Sequence, residues 1–367
     1  MYYISVGDEW SPPVLTANDE IDGIVPVSQT GEYNVYAVGI YTITYTAIDS
    51  DNNMTYLIIY LHVLDDAEGQ PPSDYPEMDE AALATIKARW QTERDSLVPT
   101  YTDPFDPLIY YASLDGLTDQ EFFNELRRII STDITYISYD QVRFILEKSD
   151  AIDTPWGTYL YGIYSGTKII RYWDSGSTWA REHVWPNSKL GVRNQVNQAA
   201  DPHNLRAINP GVNSSRSNRY FINGTGSPTY HTVGTDGYYP GDDHRGDVAR
   251  ILFYMYVRYF DILDLVDTVA EILAGENYQP SGANFGLLSV LLEWHELDPV
   301  SEFEMHRNDV IYSYQGNRNP FIDNPEYVSI IFNVESLTTG ETFTITVVVS
   351  KMEVNMSDLE KRKYCYA

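Results

Sequence analysis

The chain has 367 residues, of which 43% are hydrophobic and 14% aromatic, and a formal net charge of −29. That length supports two or three domains, and that apolar content supports ordinary buried cores, which excludes a disordered chain. No run approaches the roughly 18 to 20 consecutive apolar residues that cross a bilayer, and a single cysteine, Cys365, excludes an internal disulfide and a multi-cysteine zinc site.

The charge is unevenly spread. Residues 1–80 hold no Lys or Arg and 15 Asp plus Glu. Residues 166–220 hold eight basic side chains (Lys168, Arg171, Arg181, Lys189, Arg193, Arg206, Arg216, Arg219) against three acidic ones, Asp174, Glu182 and Asp201. Eight against three leaves a local +5 in an acidic chain, which suits a phosphate-bearing partner. Chance clustering on a solvated face is the plainer alternative.

Residues 1–64 read as short strands. The runs Asn34–Ile48 and Met54–Val63 are rich in β-branched and aromatic residues. Tyr41, Ile43, Tyr45 and Ala47 alternate with threonines, the period-two pattern of a half-buried strand. Asp49 to Asn53 forms a turn cluster, so the spacing predicts a small antiparallel sandwich. Asn18-Asp19-Glu20-Ile21-Asp22-Gly23, followed by Gly39-Ile40-Tyr41-Thr42-Ile43-Thr44-Tyr45-Thr46-Ala47-Ile48-Asp49, resembles the immunoglobulin-like domains of bacterial secreted and surface proteins. The resemblance implies binding or spacing, with no partner identified. Asp19 and Asp22 read as turn formers, with a calcium site as the second reading. Met1–Glu9 lacks the basic and apolar regions of a secretion signal, and it starts as though inside a strand, so an upstream segment is expected.

Residues 65–80 are acidic and contain proline without periodicity, a linker composition. Residues 81–333 form the second domain. Leu83, Ile86, Trp90 and Leu97 fall near one helical face. Thr118 to Glu121 reads as a capping box before a helix carrying Phe122, Leu126, Ile129 and Ile130. Asp140–Lys148 is a further helix and Tyr159–Trp173 is strand-like. Gly246–Phe260 is apolar almost all round, the pattern of a buried helix; Leu287–Trp294 and Pro325–Phe332 supply two more. In the tail, residues 334–367, Phe343–Val349 reads as a strand opening a truncated β-domain.

The chemistry concentrates in Arg181-Glu182-His183-Val184-Trp185-Pro186, Asp201-Pro202-His203-Asn204-Leu205 and Val212-Asn213-Ser214-Ser215-Arg216-Ser217-Asn218. Hydrolysis of a phosphodiester needs an activated water and groups that absorb charge on the phosphoryl oxygens. A histidine can take the proton of water near neutral pH. In an extended segment Glu182 and His183 point opposite ways, so one can hold a cation while the other faces water. Asn213, on a helix expected after Asn209-Pro210-Gly211, offers a neutral amide oxygen, and so few ligands suit a hard cation that keeps its waters.

These three motifs, with Arg245-Gly246-Asp247-Val248-Ala249-Arg250 and Gln315-Gly316-Asn317-Arg318-Asn319-Pro320-Phe321, resemble the bacterial endonuclease I family in content and order, over about residues 107–332. The resemblance implies an α+β fold: a His-Me finger (ββα-metal) core wrapped by helices, here behind an all-β Ig-like sandwich. It implies His183 as general base, with Glu182 and Asn213 holding Mg²⁺, or Ca²⁺ or Mn²⁺ in its place. It also implies a phosphate-steadying arginine, for which Arg193 is best placed. Arg181, Asp201, His203, Asn204, Arg216 and Asn218 are assigned to substrate contact or to support behind the ligands, the middle three as loop-fixing groups. The expected substrate is DNA, and RNA as well, cut by a monomer outside the cell or on its surface. A reading from another class makes the chain a surface adhesin with a silent nuclease-like scaffold. A sequence-specific endonuclease is disfavoured, since no helix-turn-helix or zinc finger is present to read bases.

Overall fold

The computed structural model describes residues 2–19, 23–48, 50, 54–64, 76, 80–94, 97–154, 157–192, 197–224, 226–332 and 344–347. Two compact units make up the chain, Met1–Pro71 with Ser336–Ala367, and Pro72–Glu335. The division at Pro71/Pro72 falls inside the expected linker.

The first unit is a β-sandwich. Its strands are β1 (Tyr2–Ser5), β2 (Leu15–Asp19), β3 (Gly23–Val25), β4 (Val27–Thr30), β5 (Gly39–Ile48) and β6 (Met54–Leu64). One sheet runs β1-β6-β5-β4, with β1 parallel to β6 and the other pairs antiparallel. Ile43, Tyr45 and Ala47 are buried, so the alternation read from β5 sets the inward face. Ile4, Leu15, Ile43, Tyr45, Ile59, Leu61 and Val63 share one core, and Ala17 and Val25 of the other sheet pack on Ala47. The first expected run is shortened. Asn34 Oδ1 accepts the Tyr36 N–H at 2.9 Å, an Asx turn that delays the strand to Gly39. The tail strand, Thr344–Val347, pairs antiparallel with β2, Thr344 opposite Asn18 and Val347 opposite Leu15, instead of opening a domain of its own. The Asp19 side chain and Asp22, weighed for calcium, lie outside the described residues.

The second unit carries helices α1 (Glu80–Arg94), α2 (Pro107–Tyr110), α3 (Asp119–Ser131), α4 (Tyr139–Ser149), α5 (Pro210–Arg216), α6 (Arg245–Arg258), α7 (Val269–Ala274), α8 (Leu288–Leu297), α9 (Glu302–Gln315), α10 (Pro320–Asp323) and α11 (Tyr327–Phe332). Leu97 falls beyond α1, whose anchor is Trp90: its indole donates to Glu147 Oε2 on α4 at 2.6 Å. The capping box expected at Thr118 is absent, since the Thr118 side chain makes no cap bond. Asp119 opens the helix at φ +50°, a left-handed start that turns the chain out of capping geometry. True capping boxes stand at Ser138/Gln141, Thr268/Glu271 and Ser301/Glu304. Helix α6 is buried along nearly its whole length, and Val248, Leu252, Phe253 and Met255 sit in the largest core with Trp185, Phe285 and Trp294.

The strand-like stretch Tyr159–Trp173 resolves into two strands of a three-stranded antiparallel meander, β7 (Ala151–Thr154), β8 (Gly157–Tyr161) and β9 (Lys168–Ile170). Tyr164 at φ +71° and Gly166 at φ +63° make the turn between the last two. Two further strands, β10 (Ala180–His183) and β11 (Leu205–Ile208), pair antiparallel with Glu182 opposite Arg206 and His183 opposite Leu205. Asn209 then starts α5, accepting the Gly211 N–H at 2.8 Å ahead of Pro210 at the first turn. The result is a β-β-α unit that carries the sequence's chemistry.

Candidate active site

A polar cleft of about 440 Å³ opens over this unit. Arg181, Glu182 and His183 reach it from β10, and Asn213, Arg216, Ser217 and Asn218 from α5 and its C-terminus. Tyr139, Pro186, Asn187, Ser188, Asn277 and Tyr278 complete its lining. Residues separated by about thirty positions in sequence therefore meet because β10 and β11 pair and α5 folds back from their end.

Strand alternation divides the work. Arg181 and His183 both turn toward Tyr139: the Arg181 guanidinium lies 3.7 Å from that ring's centre, and the His183 ring stacks on it at 5.4 Å and 10°. Glu182 turns the other way. Its Oε1 accepts the Tyr164 hydroxyl at 2.9 Å and lies 3.4 Å from Arg216 Nε. Burial pushes the Glu182 carboxyl up to about 7, against the Arg216 charge and the Tyr164 hydroxyl. Burial drives the His183 imidazole down to about 4, with Arg181 and Arg216 adding to the shift and the Ala199 carbonyl opposing it. His183 is thus neutral at pH 7, the form that can accept a proton.

Arg216 braces the strand end. It donates to the carbonyls of His183 at 3.4 Å, Val184 at 2.7 Å and Ser217 at 3.2 Å. Asn213 is half-buried and Asn218 exposed, both on the cleft wall.

Asp201, His203 and Asn204 lie outside the cleft, in a buried frame. Asp201 Oδ2 accepts from Arg258 at 2.6 Å, Tyr254 at 2.9 Å and Tyr259 at 2.8 Å, and its Oδ1 from Gln315 at 3.1 Å. His203 packs on the Tyr254 ring at 4.5 Å, and burial lowers its imidazole to about 3. Asn204 clamps Trp185, accepting its N–H at 2.7 Å and donating to its carbonyl at 3.2 Å. The motifs at 245–250 and 315–321 join this frame: Arg250 makes a paired contact with Glu304 at 2.6 and 2.7 Å, and Asn317 donates to the Ile130 carbonyl at 2.7 Å.

Part of the basic island turns inward on folding, while Arg181 and Arg216 reach the cleft. Arg206 is fully buried between Asp150 at 3.2 Å and Asp247 at 2.8 Å. Lys189 Nζ donates to the carbonyls of Ile272 and Gly275 at 3.1 and 2.9 Å. These charges hold the fold together and are not displayed to a ligand. Arg193 lies outside the described residues.

Sequence reasoning missed Tyr139, Tyr164, Ala199, Asn277 and Tyr278. Ala199 acts through a backbone carbonyl that any residue supplies, and the others arrive from distant segments without a local pattern. Trp173, Trp179 and Trp185 are structural: Trp179 and Trp185 are fully buried and Trp173 packs edge-on to Trp179 at 4.7 Å.

Among the described residues no group of three or more His, Cys, Asp or Glu side chains converges as a metal cluster. The donors present, one buried carboxylate and one half-buried amide on a roomy polar cleft, fit a hard cation that keeps most of its waters.

Comparison with known proteins matches both parts of the chain. The bacterial surface protein Ig-like domain matches residues 1–58. The chain is 37% identical over 230 residues to an extracellular ribonuclease of Bacillus subtilis (strain 168), covering 61% of this chain and 78% of that protein. It is 37% identical over 238 residues to an extracellular ribonuclease of Bacillus amyloliquefaciens, covering 63% and 80%. The Endonuclease I family model matches residues 108–326. With that span holding both the cleft and the frame behind it, the chain belongs to the Endonuclease I family of nucleases.

Proposed function

We propose that the chain is a divalent-metal-dependent endonuclease of the His-Me finger type, hydrolysing DNA and RNA with little sequence preference. The observation that carries this is the pose of His183. Its Nε2 is committed to the Ala199 carbonyl at 2.8 Å, which leaves Nδ1 as the free base on a cleft shared with Glu182 and Asn213. In this reading Nδ1 takes a proton from water, and the hydroxide attacks phosphorus as the ester oxygen leaves. Glu182 and Asn213 would hold the cation, Mg²⁺ first and Ca²⁺ or Mn²⁺ as alternatives, whose chemistry is to offset charge on the phosphoryl oxygens. Asn218 and the Arg181–Tyr139 pair border the strand that enters, and Arg193 is retained as the phosphate-steadying arginine. No helix of the described residues is long and apolar enough to cross a membrane. The surface-type Ig-like domain and the extracellular relatives support action outside the cell or on its surface. A monomer is proposed.

The test is cleavage of plasmid DNA and of a structured RNA with each cation, with and without chelator. Chelator-sensitive cleavage of both is expected. A chain that cleaves neither under any cation is the silent scaffold of the adhesin reading.

A further inference from the structure

Tyr278 stands apart from the rest of the cleft lining. It is an aromatic residue 37% exposed on a wall otherwise built of asparagines and serines, Asn187, Ser188, Asn213, Ser217, Asn218 and Asn277. Among the described residues its ring takes no aromatic partner and its hydroxyl no hydrogen-bond partner. Tyr139, by contrast, is already engaged by Arg181 and His183. The backbone of Tyr278 is held at φ +60°, a left-handed conformation that tyrosine rarely adopts and that persists only where the surroundings impose it.

Those surroundings are visible. The Tyr278 N–H donates to the Ser188 carbonyl at 2.6 Å, tying the loop to the cleft floor beside Pro186. Lys189 Nζ, from the same floor, binds the carbonyls of Ile272 and Gly275. The loop's two ends close on each other through glycines. A Cβ on Gly275 would stand 2.6 Å from Gly282 Cα, and one on Gly282 would stand 1.7 Å from the Glu276 carbonyl oxygen. The ring is therefore presented by a fixed loop on the cleft that holds Glu182 and His183, partly exposed and, among the described residues, without an aromatic or hydrogen-bond partner.

A flat, exposed ring beside a phosphodiester site suits a nucleobase. Stacking is tolerant of sequence because every base has a π-face, and it needs a base free of its duplex partner. We propose that Tyr278 is a stacking platform for a base next to the scissile phosphate, so that the cleft prefers strands unpaired at that nucleotide. The proposal rests on the assignment of hydrolysis to the Glu182–His183 cleft and specifies which substrate conformation that cleft takes.

The test uses the full chain and short fluorogenic single strands with one hydrolysable linkage, intact or carrying an abasic sugar on either side of it. Tyr278→Ala should raise KM about tenfold on the intact strand with kcat nearly unchanged, and Tyr278→Phe should match the parent. Tyr278→Gly, which relieves the backbone while removing the ring, should behave as Tyr278→Ala. An abasic sugar on one side should cost the parent the same about tenfold and cost Tyr278→Ala nothing further. A KM for both Tyr278→Ala and Tyr278→Gly within about twofold of the parent overturns the platform, as does an abasic penalty that persists undiminished in them. Failure of the cleft assignment reads differently: His183→Ala would keep its full kcat on the same strands.

Discussion

His183 Nε2 donates to the Ala199 carbonyl at 2.8 Å. A carbonyl only accepts, so the neutral ring carries its proton on Nε2 and keeps the Nδ1 lone pair free. The 10° stack on Tyr139 fixes the ring plane as well. If Nδ1 is the base, His183→Ala should lose roughly 10²- to 10⁴-fold in kcat. Melting should stay near that of the parent, because His183 borders a cleft and leaves no sealed cavity. Plasmid nicking at saturating cation, read beside a melting curve, checks both halves.

Glu182 and Asn213 give a prediction about metal. A ligand that binds only the folded chain raises its stability, so melting should rise with added Mg²⁺ and fall back with chelator. Glu182→Gln and Asn213→Ala should each need at least about tenfold more cation for half-maximal cleavage. Titration of activity against cation measures it. Unchanged cation requirements in both variants would remove these residues from the ligand set.

Acid stability follows from histidines away from the cleft. Burial drives His244 and His295 each down to about 4, while an unfolded histidine titrates near 6.5. Between those values the unfolded chain binds more protons. Their contribution is therefore intact above about pH 6.5 and is lost as pH falls toward 4, at about 1.4 kcal/mol for each pH unit between the two. His295→Gln keeps a donor for the Pro325 carbonyl, which Nε2 meets at 3.1 Å, and removes the titration. Urea unfolding at neutral and acidic pH should show a smaller acid loss in that variant, by about 1 to 3 kcal/mol.

Arg206 separates structural from substrate-binding charge. It is fully buried between Asp150 and Asp247, and Asp150 also accepts from Arg307 at 2.9 Å. Removing Arg206 takes the close partner from buried Asp247 and one of two from Asp150, at a cost of about 3 to 5 kcal/mol. Arg206→Met should therefore lower the denaturant midpoint strongly while the folded fraction keeps its KM. A selective rise in KM without destabilisation would return Arg206 to the substrate.

Much of the architecture was legible because local chemistry and tertiary context agree. Alternation in β5 marks its buried face, and the all-round apolarity of 246–260 marks a helix inside the core. The helix that carries Asn213 was legible too, although it starts at Pro210, ahead of the expected start after Gly211. Where they disagree, the sequence misled. Thr118 has the spacing of a capping box and the wrong backbone, since Asp119 sits at φ +50°. Asn34 delays the expected strand to Gly39 by accepting the Tyr36 N–H.

The five motifs taken alone mark out a nuclease, because hydrolytic chemistry needs side chains of particular types whatever surrounds them. Folding decided which motifs face the cleft and which are buried as frame. Glu182, His183 and Asn213 share the cleft, whereas Asp201, His203, Asn204 and Arg250 bind one another's neighbours in the interior. It also decided that Arg206 and Lys189 would turn inward, where carboxylates and carbonyls far away in sequence pair with them. Burial and long-range pairing are properties of three-dimensional neighbours, so Tyr139, the Ala199 carbonyl and Tyr278 join the site only once β10, β11 and the loop after α7 are in place.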